Sequence, residues 1–98
     1  MKIEEGDVVT VILQNPREKI WGVLREINPA GVFARGIDLN VFDDFVRAVA
    51  GGETFYGLGE HFFPLRRVEK IIRDEANGDV PALCDEFERR TGKHIDEF

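Results

Sequence analysis

Proline and glycine cut this chain into short apolar runs, and that punctuation constrains the fold more than any other feature. Asn15-Pro16-Arg17-Glu18, Asn28-Pro29-Ala30-Gly31, Gly51-Gly52, Pro64 and Ala76-Asn77-Gly78 all carry turn or loop chemistry. Pro fixes φ, Asn tolerates turn geometry, and Gly takes conformations closed to other residues. Most runs between these breaks are β-branched or aromatic and lack a helical period, which is the pattern of strands. Residues 7–14, DVVTVILQ, predict a first strand, and residues 20–27, IWGVLREI, predict its hairpin partner. Residues 32–37, VFARGI, predict a third strand, residues 54–63, TFYGLGEHFF, a fourth, and residues 68–73, VEKIIR, a fifth.

The second run carries its own shape information. Ile20, Gly22 and Leu24 fall on one face, and Ile27 breaks the period of two, so a bulge is expected near Arg25–Glu26. A glycine in mid-strand marks a sharp bend or a close backbone approach. Glycine plus a bulge is how a short sheet curls. Pro64 cannot donate to a ladder, so the fourth strand must end or turn there. On the fifth strand Lys70 is expected to share a face with Val68 and Ile72.

Two stretches change period. Val41 or Phe42, Phe45, Val46 and Val49 recur at helical spacing, which predicts a helix over about 40–50. Asn40 is its expected N-cap, Asp43 and Asp44 sit near the positive end, and Gly51-Gly52 stops it. A second helix is expected over 79–92, with Pro81 in the first turn and Gly92 at the end. Its apolar stripe is Val80, Leu83 or Cys84, and Phe87. The expected fold is therefore mainly β with added helices. It is a five-stranded, strongly bent SH3-like small barrel over 7–73, with one helix inserted between strands three and four and one C-terminal helix. Its 98 residues form one domain, 1–98, and can bury a core without metals or disulfides.

Charge and cysteine content narrow the partners. Residues 1–73 carry ten Lys or Arg against eleven Asp or Glu, a net −1, and residues 74–98 carry three against eight, a net −5. Most of the formal −6 therefore belongs to the C-terminal segment, and no DNA is expected as a partner. No apolar run approaches the roughly 18 residues of a membrane span. Residues 1–7 hold no apolar signal core, and Cys84 is the only cysteine, so a reducing, cytoplasmic setting is expected.

The strand order resembles the Sm-like superfamily, which includes the Sm and Sm-like proteins and bacterial Hfq. Val9-Thr10-Val11-Ile12-Leu13 is similar to that family's first strand, and Gly22-Val23-Leu24-Arg25-Glu26-Ile27-Asn28 to its second. Phe62-Phe63-Pro64 followed by Val68 and Ile71 resembles the passage from fourth to fifth strand. The resemblance covers about residues 7–73 and implies a small bent barrel. It also implies rings built by pairing the fourth strand of one subunit with the fifth of the next. The family's RNA-reading signatures are altered. Asn28 and Val32 stand where the family has Asp and Asn, and Pro64-Leu65-Arg66-Arg67 replaces its apolar-Arg-Gly step.

Three function classes follow as expectations. The first is a non-catalytic binding or scaffolding module that self-associates into a homo-oligomer or meets another protein. Phe55, Tyr56, Phe62 and Phe63 are its candidate contacts. Consecutive Phe62 and Phe63 must face opposite sides of a sheet, so one is core and the other an association site. The second is binding of RNA or single-stranded nucleic acid, with Arg66, Arg67 and Lys70 as candidate phosphate contacts. The third is a small metal-dependent enzyme using Asp43, Asp44 and His61. It is the weakest, because adjacent carboxylates on a helix diverge and a lone histidine needs only a hydrogen bond. No cofactor is expected. Cys84 reads as a small buried hydrophobe rather than a nucleophile.

Overall fold

The computed structural model describes residues 2–53 and 57–98. The five strands are β1 (Val8–Leu13), β2 (Glu18–Asn28), β3 (Gly31–Asp38), β4 (Gly59–Pro64) and β5 (Val68–Arg73). The two α-helices are α1 (Phe42–Ala50), between β3 and β4, and α2 (Leu83–Thr91), after β5. The strands form one antiparallel sheet in the order β4-β3-β2-β1-β5. The architecture is mainly β with added helices, as the sequence predicts.

The sheet is open: its pairings join β1 with β2 and β5, and β3 with β2 and β4, while β4 and β5 are its outer strands. The expected barrel would need those two to pair. The sheet is nevertheless curled. In a flat sheet β4 and β5 would lie four spacings of about 4.8 Å apart, near 19 Å. Yet only the 3-10 turn Leu65–Arg67 joins them, and a 3-10 turn advances only about 2 Å per residue. The turn is pinned across the open end. Leu65 donates its N–H to Ala30 at 3.1 Å, and Gln14 donates to the Arg67 carbonyl at 2.8 Å.

Two cores follow, one on each face. Trp21, Phe42, Phe45, Val46, Val49, Leu58, Phe87 and Ile95 form a cluster between the sheet and the helices. The opposite face carries no α-helix residue in its cluster: Val9, Val11, Leu13, Ile20, Leu24, Val32 and Ala34. These are buried all the same, because Phe63 from one outer strand and Val68 and Ile71 from the other close over them. The curl thus supplies what a second layer would otherwise supply.

At the mid-strand glycine the structure shows the close backbone approach. Gly22 pairs with Gly36 across β2 and β3. A Cβ at Gly22 would lie 2.1 Å from the Arg35 carbonyl oxygen, and one at Gly36 would lie 2.3 Å from that of Trp21. The β2–β3 register shifts between Leu24 and Glu26, leaving Arg25 as the extra residue of the expected bulge.

Several boundaries differ from expectation. Asn40 is not the cap of α1. Asp38 caps a preceding 3-10 turn, Leu39–Val41, by accepting from the Asn40 N–H, and α1 starts at Phe42. Helix α2 starts at Leu83 instead of Asp79, because Asn77 and Val80 close an isolated antiparallel bridge first. Strand β4 starts at Gly59, and the expected strand residues 54–56 lie outside those described. Val68 does not share the face of Lys70: the β1–β5 register shifts between Ile12 and Leu13, which turns Val68 toward the helix-free core. Gly92 ends α2 with a left-handed φ of 72°, as expected.

Candidate functional site

Each outer strand carries a half-exposed large apolar side chain. Phe62 on β4 is 46% exposed and Ile72 on β5 is 47% exposed, each a large apolar side chain. The register puts them on one face. Ile72 lies opposite Thr10, Thr10 opposite Trp21, and Trp21 opposite Ile37. Ile37 shares its face with Phe33, which lies opposite Phe62. The Phe33 and Phe62 rings pack with centroids 4.8 Å apart. Glycine at position 31 makes room for the pair, since a Cβ there would lie 3.0 Å from a Phe62 ring carbon and 2.1 Å from the Phe63 carbonyl oxygen. Leu65, in the turn that follows β4, is also exposed.

Phe63 points the other way and packs on the helix-free core, stacked against His61 at 5.6 Å. Phe55 and Tyr56 lie outside the described residues. Sequence reading missed Phe33 and Ile72 as surface residues, because only register shows which strand positions the helices leave uncovered.

The basic cluster divides. Arg67 is a structural clamp. Its guanidinium donates to the Gln14 and Pro16 carbonyls, each at 3.0 Å, and to Glu18 at 2.7 Å. Arg66 and Lys70 are exposed, and among the described residues their charged groups have no hydrogen-bond or ion-pair partner.

Asp43, Asp44 and His61 do not form one site. Asp43 accepts from Arg90 at 2.8 Å, and that guanidinium holds its carboxyl below the usual range. Asp44 pairs with Arg47 on its own helix at 3.4 Å. The His61 Nε2 lies 3.2 Å from the Gly36 carbonyl oxygen on the neighbouring strand. No cluster of three metal-ligating side chains occurs among the described residues, and none of their helices is long and apolar enough to cross a membrane.

One carboxylate organises more of the fold than its sequence context suggests. Asp74 accepts from the Trp21 indole at 3.1 Å and from the backbone N–H groups of Leu83 and Cys84, each at 2.8 Å. It thereby caps α2 from a distance and ties it to β2. Burial, then the charge of Asp74, pushes the Cys84 thiol up to about 12. The thiol is therefore neutral at any physiological pH. Because only the thiolate reacts, alkylation by iodoacetamide at pH about 8 should run on the order of a thousandfold slower in the folded protein than in the denatured chain, where the pKa is about 8.5. Equal rates in the two states would contradict the burial of Cys84.

Comparison with family models, curated proteins and solved structures returns no match for this chain.

Proposed function

We propose that the protein is a non-catalytic small-barrel module of the Sm-like or SH3-like kind, and that it self-associates through its outer strands. The observation that carries this reading is the pairing of two features on β4 and β5. Among the described residues both strands have an unpaired edge, and both present a half-exposed apolar side chain on the same sheet face. An unpaired strand edge with apolar neighbours is a template for another strand. The strand order, the glycine pair, the bulge and the short turn from β4 to β5 support the Sm-like frame, whose members join these same two strands between subunits. A shared edge between copies would complete the barrel wall that one chain leaves open.

Size-exclusion chromatography with light scattering tests the reading. The intact chain at micromolar concentration should elute as a multiple of its 11.2 kDa. The double variant F62E/I72E should elute as a folded monomer, because charge on both edges opposes pairing. A monomeric wild type, or a double variant that assembles unchanged, would overturn the proposal.

Binding of single-stranded RNA is the second reading, favoured by the unpartnered Arg66 and Lys70. Its test is a mobility shift that weakens as salt rises.

A further inference from the structure

We infer that one end of the sheet is a cationic contact surface for the acidic face of α2 in a second copy of this chain. The inference rests on the self-association proposed above and assigns it an electrostatic component away from the strand edges.

The cationic surface comes from register. Lys19 on β2 and Lys70 on β5 both lie directly opposite Ile12 of β1. Residues opposite one another share a face, so the two lysines flank Ile12 in a single row about 10 Å across, two strand spacings. Ile12 itself is 4% exposed, as expected when lysine stems lie along an apolar neighbour with their ammonium groups in water. The nearby carboxylates are already engaged: Glu18 by Arg67 at 2.7 Å, and Glu69 by Arg17 at 3.3 Å. The charged groups of Lys19, Lys70 and Arg66 are left without a hydrogen-bond or ion-pair partner among the described residues. Three uncompensated positive charges therefore gather at one end of a chain whose formal charge is −6.

The complementary surface lies on α2. Asp85 and Glu88 are exposed and have no ion-pair partner among the described residues, whereas Glu86 is held by Arg89. At positions i and i+3 the two free carboxylates stand side by side on one helix face, about 5–6 Å apart between Cβ atoms. Residues 74–98 as a whole carry −5. A polyanion such as RNA would meet that field as repulsion, while a second copy meets it as attraction. The two surfaces are different patches of one molecule, so each copy can offer the cationic row to one α2 and its own α2 to another row.

The test is a charge swap on the full chain, followed by light scattering between about 0.05 and 0.5 M salt, a range across which the screening length shrinks severalfold. Circular dichroism first establishes that K19E/K70E and D85K/E88K are folded. Each variant alone should lose about tenfold in self-affinity, and mixing the two should restore assembly, since the swapped charges complement one another. The assembly should also weaken with salt. Assembly that ignores salt and both variants would overturn this inference while leaving the strand-edge reading intact. A monomer under every condition would overturn both. Binding of a single-stranded oligonucleotide that K19E/K70E abolishes, with self-assembly unchanged, would also overturn it and give the lysine row to nucleic acid.

Discussion

Replacing Gly22 with valine is expected to abolish the fold. A Cβ at this position would stand 2.1 Å from the Arg35 carbonyl oxygen, 2.5 Å from the Gly36 Cα and 2.8 Å from the Arg35 carbonyl carbon. All three obstacles are backbone atoms of the paired strand, so no rotamer change relieves them. Ordinary overpacking of a core costs about 1–3 kcal/mol because side chains and backbone can shift slightly. Here the only relief is to part β2 from β3 at the centre of the sheet. That would break the ladder carrying the bend and expose both cores. A domain of this kind has about 5–15 kcal/mol of stability in all. G22V should therefore show a lost or much weakened cooperative transition by circular dichroism, and G36V the same for the reciprocal reason. Gly57 has nothing within 4 Å of its would-be Cβ, so G57A is the control and should stay within about 0.5 kcal/mol of wild type. A G22V protein that melts with the wild-type midpoint would refute the close approach.

That glycine was legible in the sequence as a bend or a close backbone approach, and so was the bulge three residues beyond it. Both are local: they announce themselves through the chemistry of one strand. Gly36 was not, because its role exists only opposite Gly22, and a single sequence carries no pairing register. The same limit explains the outer strands. Phe62 and Phe63 could be assigned to opposite faces from the period of two, but which face the helices cover depends on where α1 and α2 land. Phe33 and Ile72 acquire meaning only then. The α2 boundary shows a different failure. Asp79 and Pro81 are good helix-start residues, yet Asp74 reaches from the end of β5 to cap Leu83 and Cys84. That tertiary contact, together with the bridge between Asn77 and Val80, outweighs local propensity. The sequence shows the basic residues only as a group of charges. Only the geometry separates Arg67, which binds its own chain, from Lys70, whose row partner Lys19 is distant in sequence.

The second large effect is expected at Trp21. This side chain is fully buried and joins the sheet to both helices. Its ring meets Phe42 edge-on at 5.0 Å and Phe87 at 6.0 Å. Phe87 stacks in turn on Phe45 at 5.5 Å. Truncation to alanine removes the largest side chain of the helix-facing core, and the surroundings can collapse only partly, because Phe87 is itself held by the rings of Phe45 and Phe98. Buried Trp-to-Ala changes cost about 3–5 kcal/mol, a large share of what a domain this size possesses. The indole also donates to Asp74 at 3.1 Å, but Asp74 keeps its two backbone donors from α2. The loss of that single bond should therefore be the smaller part, about 1 kcal/mol. Two substitutions separate the contributions. W21F keeps most of the ring volume and removes the donor, so it should cost far less than W21A. D74A keeps the volume and removes the acceptor, leaving three donors unpaired, and should fall between them. Urea denaturation followed by far-UV circular dichroism gives all three midpoints. If W21F proved as damaging as W21A, the hydrogen bond to Asp74, and not ring packing, would be what fastens the helices to the sheet.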